Sequence, residues 1–280
     1  MGRVSDYSST QVIGEAGEID RVRIEIGSGL VEIHPVDGDK TLVSLEVDGG
    51  QAESVRCDVV NGELIVEGPR NVRRGPEIRV RVQTPDQLIT RIKTGSADIV
   101  ASTPLGESRL STGSGEIQLD RVEGSLGAST GSGEIRVRYA AGPVRAKTGS
   151  GAIDIGEAAD SLGLSTGSGD IRVGDAAGPT TVKVGSGDIT IERIRDHSVA
   201  TSGSGDVTVE LADGPSVRAE TARGDVHIGV PEGVPTYLDL KTITGHIRCD
   251  LEASQRPAEG ERSLMLRART VSGDITVVRV

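Results

Sequence analysis

The chain has 280 residues and 35% hydrophobic content, enough for a long core, but only three tyrosines and no Phe or Trp. Acids outnumber bases 42 to 31, and the net charge of −11 argues against a nucleic-acid partner, whose phosphates would be repelled. Cys57 and Cys249 make no CxxC, so neither a zinc site nor a disulfide framework is indicated.

In chain order, residues 1–20 are polar and irregular and read as an N-terminal tail or cap. They hold no apolar signal-peptide core, and no 18-residue apolar run follows anywhere. The expectation is a cytoplasmic protein with no direct membrane span, associated with an envelope only through a partner. Residues 21–94 alternate polar and apolar in long stretches separated by Asp, Gly, Asn and Pro. They read as irregular solenoid coils with longer strands, a separate small β-sandwich being the alternative. Residues 27–30 (GSGL) and 61–64 (NGEL) resemble the repeat that follows.

Residues 95–220 form a regular array. Gly-Ser-(Gly/Ala) begins at Gly95, Gly113, Gly131, Gly149, Gly167, Gly185 and Gly203, at intervals of 18 residues. A short fixed period is the mark of a solenoid, whose coils bury their apolar rows against their neighbours. In the coil 167–184, residues 170–173 alternate as one strand, residues 174–179 break the pattern, and residues 180–184 alternate as a second. Ile99, Ile117, Ile135, Ile153, Ile171, Ile189 and Val207 share one inward phase. Leu119, Val137, Ile155, Val173, Ile191 and Val209 share the next, opposite smaller residues such as Ala128, Ala146 and Val182. The fold class is therefore all-β, a single-chain right-handed parallel β-solenoid of about 18 residues per coil. Gly167 and Gly169 read as a tight turn with positive φ repeated in every coil, with the intervening serines stacking as a hydroxyl ladder.

Residues 221–280 read as irregular C-terminal coils, the motif returning as ARGDV at 222–226, TGHI at 244–247 and SGDI at 272–275. Residues 253–261 (ASQRPAEGE) read as a polar surface loop. Residues 275–280 (ITVVRV) end the chain as an apolar strand expected to leave an open edge, which makes end-to-end self-association an expectation. The protein partner is otherwise unspecified.

Asp98, Glu116, Glu134, Asp170, Asp188, Asp206, Asp225 and Asp274 share one outward column, where acids about 4.8 Å apart repel by roughly 1 kcal/mol in water. Arg136 and Arg172 are the expected relief, and a Ca²⁺-binding β-roll is the sharper alternative; that fold needs glycines at both corners, and here one corner carries them. Arg223-Gly224-Asp225, an integrin-type tripeptide, falls where other coils read Ser-Gly-Asp. Residues 142–148 imitate a P-loop, but Ala146 stands where glycine is required. His227, His246 and Cys249 read as stacked surface residues. No catalytic, cofactor-binding or metal-ligating residue is assigned, and no cofactor is implied. A carbohydrate-active β-helix enzyme is the other alternative, disfavoured because Tyr7, Tyr139 and Tyr237 make no stacking platform for sugars.

The serial (S/K)TGSG(D/E)I coils after a looser N-terminal third resemble the bacterial β-strand-repeat family labelled "putative adhesins", over roughly residues 18–280. Members of that family resemble autotransporter-adhesin heads and the solenoid part of envelope-stress proteins. The resemblance implies a non-enzymatic structural or interaction scaffold at or near the envelope.

Overall fold

The computed structural model describes residues 8–15, 18–38, 40–47, 55–69, 76–85, 87–251 and 262–280. The loop expected at 253–261 lies outside the described residues. Among them there is no helix, and the chain divides into two compact units, Met1–Tyr139 and Ala140–Val280. Both contain parallel β-solenoid coils with two strands each, and the first adds antiparallel strands.

The first unit holds β1 (Ser8–Glu15), β2 (Arg21–Ile26), β3 (Ser28–Pro35), β4 (Lys40–Val47), β5 (Arg56–Val60), β6 (Glu63–Glu67) and β7 (Glu77–Thr84). It continues through β8 (Leu88–Thr94), β9 (Asp98–Ala101), β10 (Leu105–Thr112), β11 (Ile117–Val122) and β12 (Leu126–Thr130) to β13 (Ile135–Ala140) at its boundary. From β8 onward strands pair in parallel with those one coil away, Leu110 beside Ala128 and Ile117 beside Ile99. Before β8, order in space departs from order in the chain. β2 pairs with both β6 and β8, and β3 with both β7 and β9, so the first coil lies between two later ones.

Antiparallel strands then cover the outer coil: β5 lies against β6, β4 against β7, and β1 against β4. Asn61-Gly62, which resembles the coil corner in sequence, is instead the hairpin turn between β5 and β6. Its φ values of +50° and +76° are those of the Asn-Gly turn that matches the twist of an antiparallel pair.

The second unit holds β14 (Val144–Thr148), β15 (Ile153–Ala158), β16 (Leu162–Ser168), β17 (Ile171–Ala176), β18 (Thr180–Ser186), β19 (Ile189–Ile194) and β20 (Ser198–Ser204). It continues through β21 (Val207–Ala212), β22 (Ser216–Arg223), β23 (Val226–Val230), β24 (Thr236–Lys241), β25 (Ile247–Cys249), β26 (Leu264–Ser272) and β27 (Ile275–Arg279). Ile171, Val173, Ile189 and Ile191 are fully buried, as are Leu164, Val182 and Ala200 of the other wall. Each large apolar side chain so placed contributes about 1.5–3 kcal/mol.

A third inner row, Ala158, Ala176, Ile194 and Ala212, was not evident from the alternation. Two outward residues precede it in each coil, Gly174 and Asp175 before Ala176, so the strand bends there and runs three residues past Val173.

The end of the chain is not an open edge. β26 pairs with β22 on one side and β24 on the other, and β27 lies between β23 and β25. The expectation for residues 275–280 is corrected accordingly, because the insertion gives β27 a backbone ladder on each side. Leu264, Leu266, Ala268, Ile275 and Val277 complete two inner rows that are buried on both sides. β24 and β25 are left outermost, with Tyr237, Leu238, Ile243 and Ile247 exposed.

Candidate functional site

The glycine corners and their acid column are where the repeat concentrates polar chemistry, and they take two forms. In the first, the third residue of the turn donates its N–H to the threonine before the turn: Gly115, Gly133 and Gly151 to Oγ1 of Thr112, Thr130 and Thr148, each at 3.0 Å. In the second, that N–H crosses to the next coil, Gly169 to Ser186 O at 3.0 Å and Gly187 to Ser204 O at 2.8 Å. Only the second form is left-handed, with φ of +146° at Gly169 and +142° at Gly187. The single positive-φ turn expected in every coil is thus corrected, and Gly167 belongs to strand β16. The corner serines do stack, Ser168 beside Ser186 and Ser186 beside Ser204, but their backbone carbonyls rather than their hydroxyls carry this coil-to-coil bond.

Sequence reasoning missed the threonines. Thr112, Thr130, Thr166, Thr221 and Thr270 are buried, and their hydroxyls donate to turn carbonyls of the adjacent coil at 2.8–3.2 Å, as Thr166 does to Gly151 O. The signal was present in the sequence, since Thr94, Thr112, Thr130, Thr148 and Thr166 also recur every 18 residues. A hydroxyl beside a corner in a dry two-walled core satisfies turn groups that water cannot reach.

Within each unit the acids of the column stack as expected, Asp98, Glu116 and Glu134 in the first and Asp170 to Asp274 in the second, but their relief differs. Asp170 Oδ1 accepts the N–H of Asp188 at 2.9 Å, Asp188 that of Asp206 at 2.8 Å, and Asp206 that of Asp225 at 2.8 Å. Asp225 then accepts the N–H of Asp274 at 2.7 Å, and Asp274 that of His246 at 2.8 Å. This order, 225 to 274 to 246, follows the inserted last coil rather than the sequence. The His246 N–H holds the Asp274 carboxyl below the usual carboxylate range. Asp98 makes the same bond to Glu116 N–H at 2.8 Å, whereas Glu134 pairs with Arg136, which also approaches Glu116 at 3.9 Å. Arg136 therefore relieves the glutamates, as expected, but Arg172 makes no ion pair among the described residues, and that part of the expectation is corrected: backbone N–H groups relieve the aspartates. Among the described residues, no three His, Cys, Asp or Glu side chains gather as a metal-binding group.

At the other corner of the second unit, an open groove of about 710 Å³ is lined by Glu157, Asp175, Glu192, Glu210 and Arg193. Two of these five charges are paired within the chain: Arg195 binds Asp175, and Arg193 lies 3.4 Å from Asp213, which Arg262 also binds. The P-loop-like run 142–148 ends in β14, where it pairs with β16. Asp225 of the Arg-Gly-Asp tripeptide is a rung of the acid column. His246 lies 3.6 Å from Asp274, while His227 and Cys249 fall in different registers, beside Thr276 and Val277.

The family described as "Putative auto-transporter adhesin, head GIN domain" matches residues 22–228. Among solved structures, the chain is similar to a "putative lipid binding protein" from Parabacteroides distasonis at 16% identity and a TM-score of 0.47, covering 97% of this chain and 96% of that one. It is similar to "putative adhesins" from Bacteroides fragilis (13%, TM-score 0.39, coverage 98% and 97%) and Parabacteroides merdae (12%, TM-score 0.35, coverage 97% and 96%). A comparison with curated proteins finds no match. No helix among the described residues is long and apolar enough to cross a membrane.

Proposed function

Because this chain belongs to the family described as "Putative auto-transporter adhesin, head GIN domain", we propose that it is a non-enzymatic interaction scaffold working at or near a bacterial envelope. Its outward strand faces are the working surfaces. The observation that carries this reading is the use the corners make of their polar groups. Buried threonine hydroxyls and column aspartates are engaged coil to coil, and inner rows fill the space between the walls. What remains free points outward in columns, such as Arg91 in register with Arg109 on β8 and β10. Evenly spaced side chains on a rigid flat strand face suit multivalent contact with a partner surface.

The test is a photo-cross-linking amino acid placed at Arg109 or Lys183 and expressed in the native host. A discrete cross-linked protein in the envelope fraction is the expected result. Cross-links confined to cytosolic proteins would remove the envelope assignment, and turnover of any member of a polysaccharide panel by the purified chain would remove the non-enzymatic one.

A further inference from the structure

Insertion of the last coil leaves the β24–β25 coil with an open face. β24 bonds only to β26 and β25 only to β27, so each has an unpaired edge among the described residues. Three hydrogen bonds establish the phase: Leu264 N–H to Pro235 O at 3.0 Å, Ile275 N–H to His246 O at 2.9 Å, and Asp250 N–H to Val277 O at 3.0 Å. Backbone groups alternate sides along a strand. Tyr237, Asp239 and Lys241 therefore turn theirs toward β26, and Leu238 and Leu240 present both N–H and C=O at the open edge. By the same alternation Arg248 and Asp250 turn toward β27, and Ile247 and Cys249 present theirs outward. These residues also continue the inner rows, Leu238 beside Leu266, Leu240 beside Ala268 and Cys249 beside Val277. The open face leaves Leu238 40% and Ile247 46% exposed.

A partner that closes this face must offer two strand edges at the separation of the two walls. One extended peptide covers a single edge, whereas a second copy of the same coil covers both. Thr242 and Ile247 flank the corner of this coil, and Leu240 and Cys249 each lie two residues further from it, on opposite walls. One two-fold axis perpendicular to the walls therefore passes by both. Antiparallel pairing about Leu240 sets Asp239 opposite Lys241 of the second copy. Pairing about Cys249 sets Arg248 opposite Asp250 of the second copy. Symmetry makes each opposite-charge contact twice. We propose that a second copy of this chain docks on the β24–β25 coil, continuing both walls as antiparallel pairs centred on Leu240 and Cys249.

The 280-residue chain with Cys57→Ser keeps Cys249 as its one thiol. Sedimentation equilibrium should show a monomer–dimer equilibrium, and mild oxidation should trap the dimer through Cys249. The hydrogen-bonded pair places the Cα atoms about 5.5 Å apart, inside the roughly 4.4–6.8 Å that a disulfide spans. Arg248→Asp, which sets like charges opposite each other, should weaken the dimer at least about tenfold without changing the melting temperature of the monomer. The double variant Arg248→Asp/Asp250→Arg should restore both association and cross-linking. The proposal is overturned by a monomer at every concentration, by a dimer that Arg248→Asp leaves unchanged, or by a double variant that stays monomeric. It is equally overturned if the Leu240 and Cys249 amides of the monomer resist hydrogen exchange, since residues 252–261 or another part of the same chain would then cover the edge.

Discussion

The corners at Gly115 and Gly133 and those at Gly169, Gly187 and Gly205 carry the same Gly-Ser-Gly, yet they close differently. In the first group a threonine of the same coil captures the turn N–H, and Glu116 or Glu134 follows. In the second the turn glycine is left-handed and its N–H reaches the next coil, and Asp170, Asp188 or Asp206 follows. Aspartate is short enough for its carboxylate to meet the next coil's N–H, whereas Glu134 extends to Arg136. The threonine hydroxyl is needed as an acceptor only in the first form, and Val184 occupies that position, buried, in a second-form coil. Identical turn residues thus take their conformation from what stands on either side of them.

The largest expected effect breaks the second form at its glycine. Gly187→Ala needs a left-handed alanine whose Cβ would lie 2.3 Å from Gly169 O, so urea denaturation should show a loss of about 3 kcal/mol or more. A loss below about 1 kcal/mol would mean that this corner readily adopts the first form. Next, Thr130→Val should cost about 1–3 kcal/mol, because it strands the buried Gly133 N–H and also removes the donor to Gly115 O. Thr166→Val, which loses the bond to Gly151 O, should cost about 0.5–1.5 kcal/mol. Equal losses would erase the distinction between the two forms.

In the other direction, Val184→Thr adds a hydroxyl where Thr166 and Ser202 already have one, and thermal unfolding should show a gain of up to about 1 kcal/mol. The smallest effect is on acidification. The Asp274 carboxyl is held down by the His246 N–H, so its contribution is complete above the ordinary carboxylate value. It is lost only as pH falls below about 4 and through the lowered folded value. Amide exchange at His246 should accelerate in that range, beyond the intrinsic pH dependence. Exchange at Gly133, whose N–H is bonded to a hydroxyl, should show no such step.

How far the sequence could be read depends on the range of the interaction. The inner rows through Ile171 and Val173 were legible because alternation within one strand decides which side chains face inward. The Ala176 row was not, because a bend after Val173 places two outward residues before it. The acid column was legible as a column, since 18-residue spacing stacks Asp170, Asp188 and Asp206. Its backbone relief was not, because a carboxylate that accepts an N–H from the next coil leaves no mark in composition. The threonines repeat as visibly as the glycines, but their partners are carbonyls, to which sequence patterns are blind.

The sequence alone determined that this chain winds into two-walled parallel coils, because alternation and the glycine spacing are local and repeat in every coil. Only the tertiary structure decided which coil lies beside which. A backbone ladder pairs with any edge of matching direction, so chain order does not specify spatial order. The first coil, β2–β3, and the last, β26–β27, are each bonded on both sides by coils that are not both their neighbours in sequence. Apolar content does not choose between the last two coils, since Leu238 lies beside Leu266, Leu240 beside Ala268 and Ile247 beside Ile275.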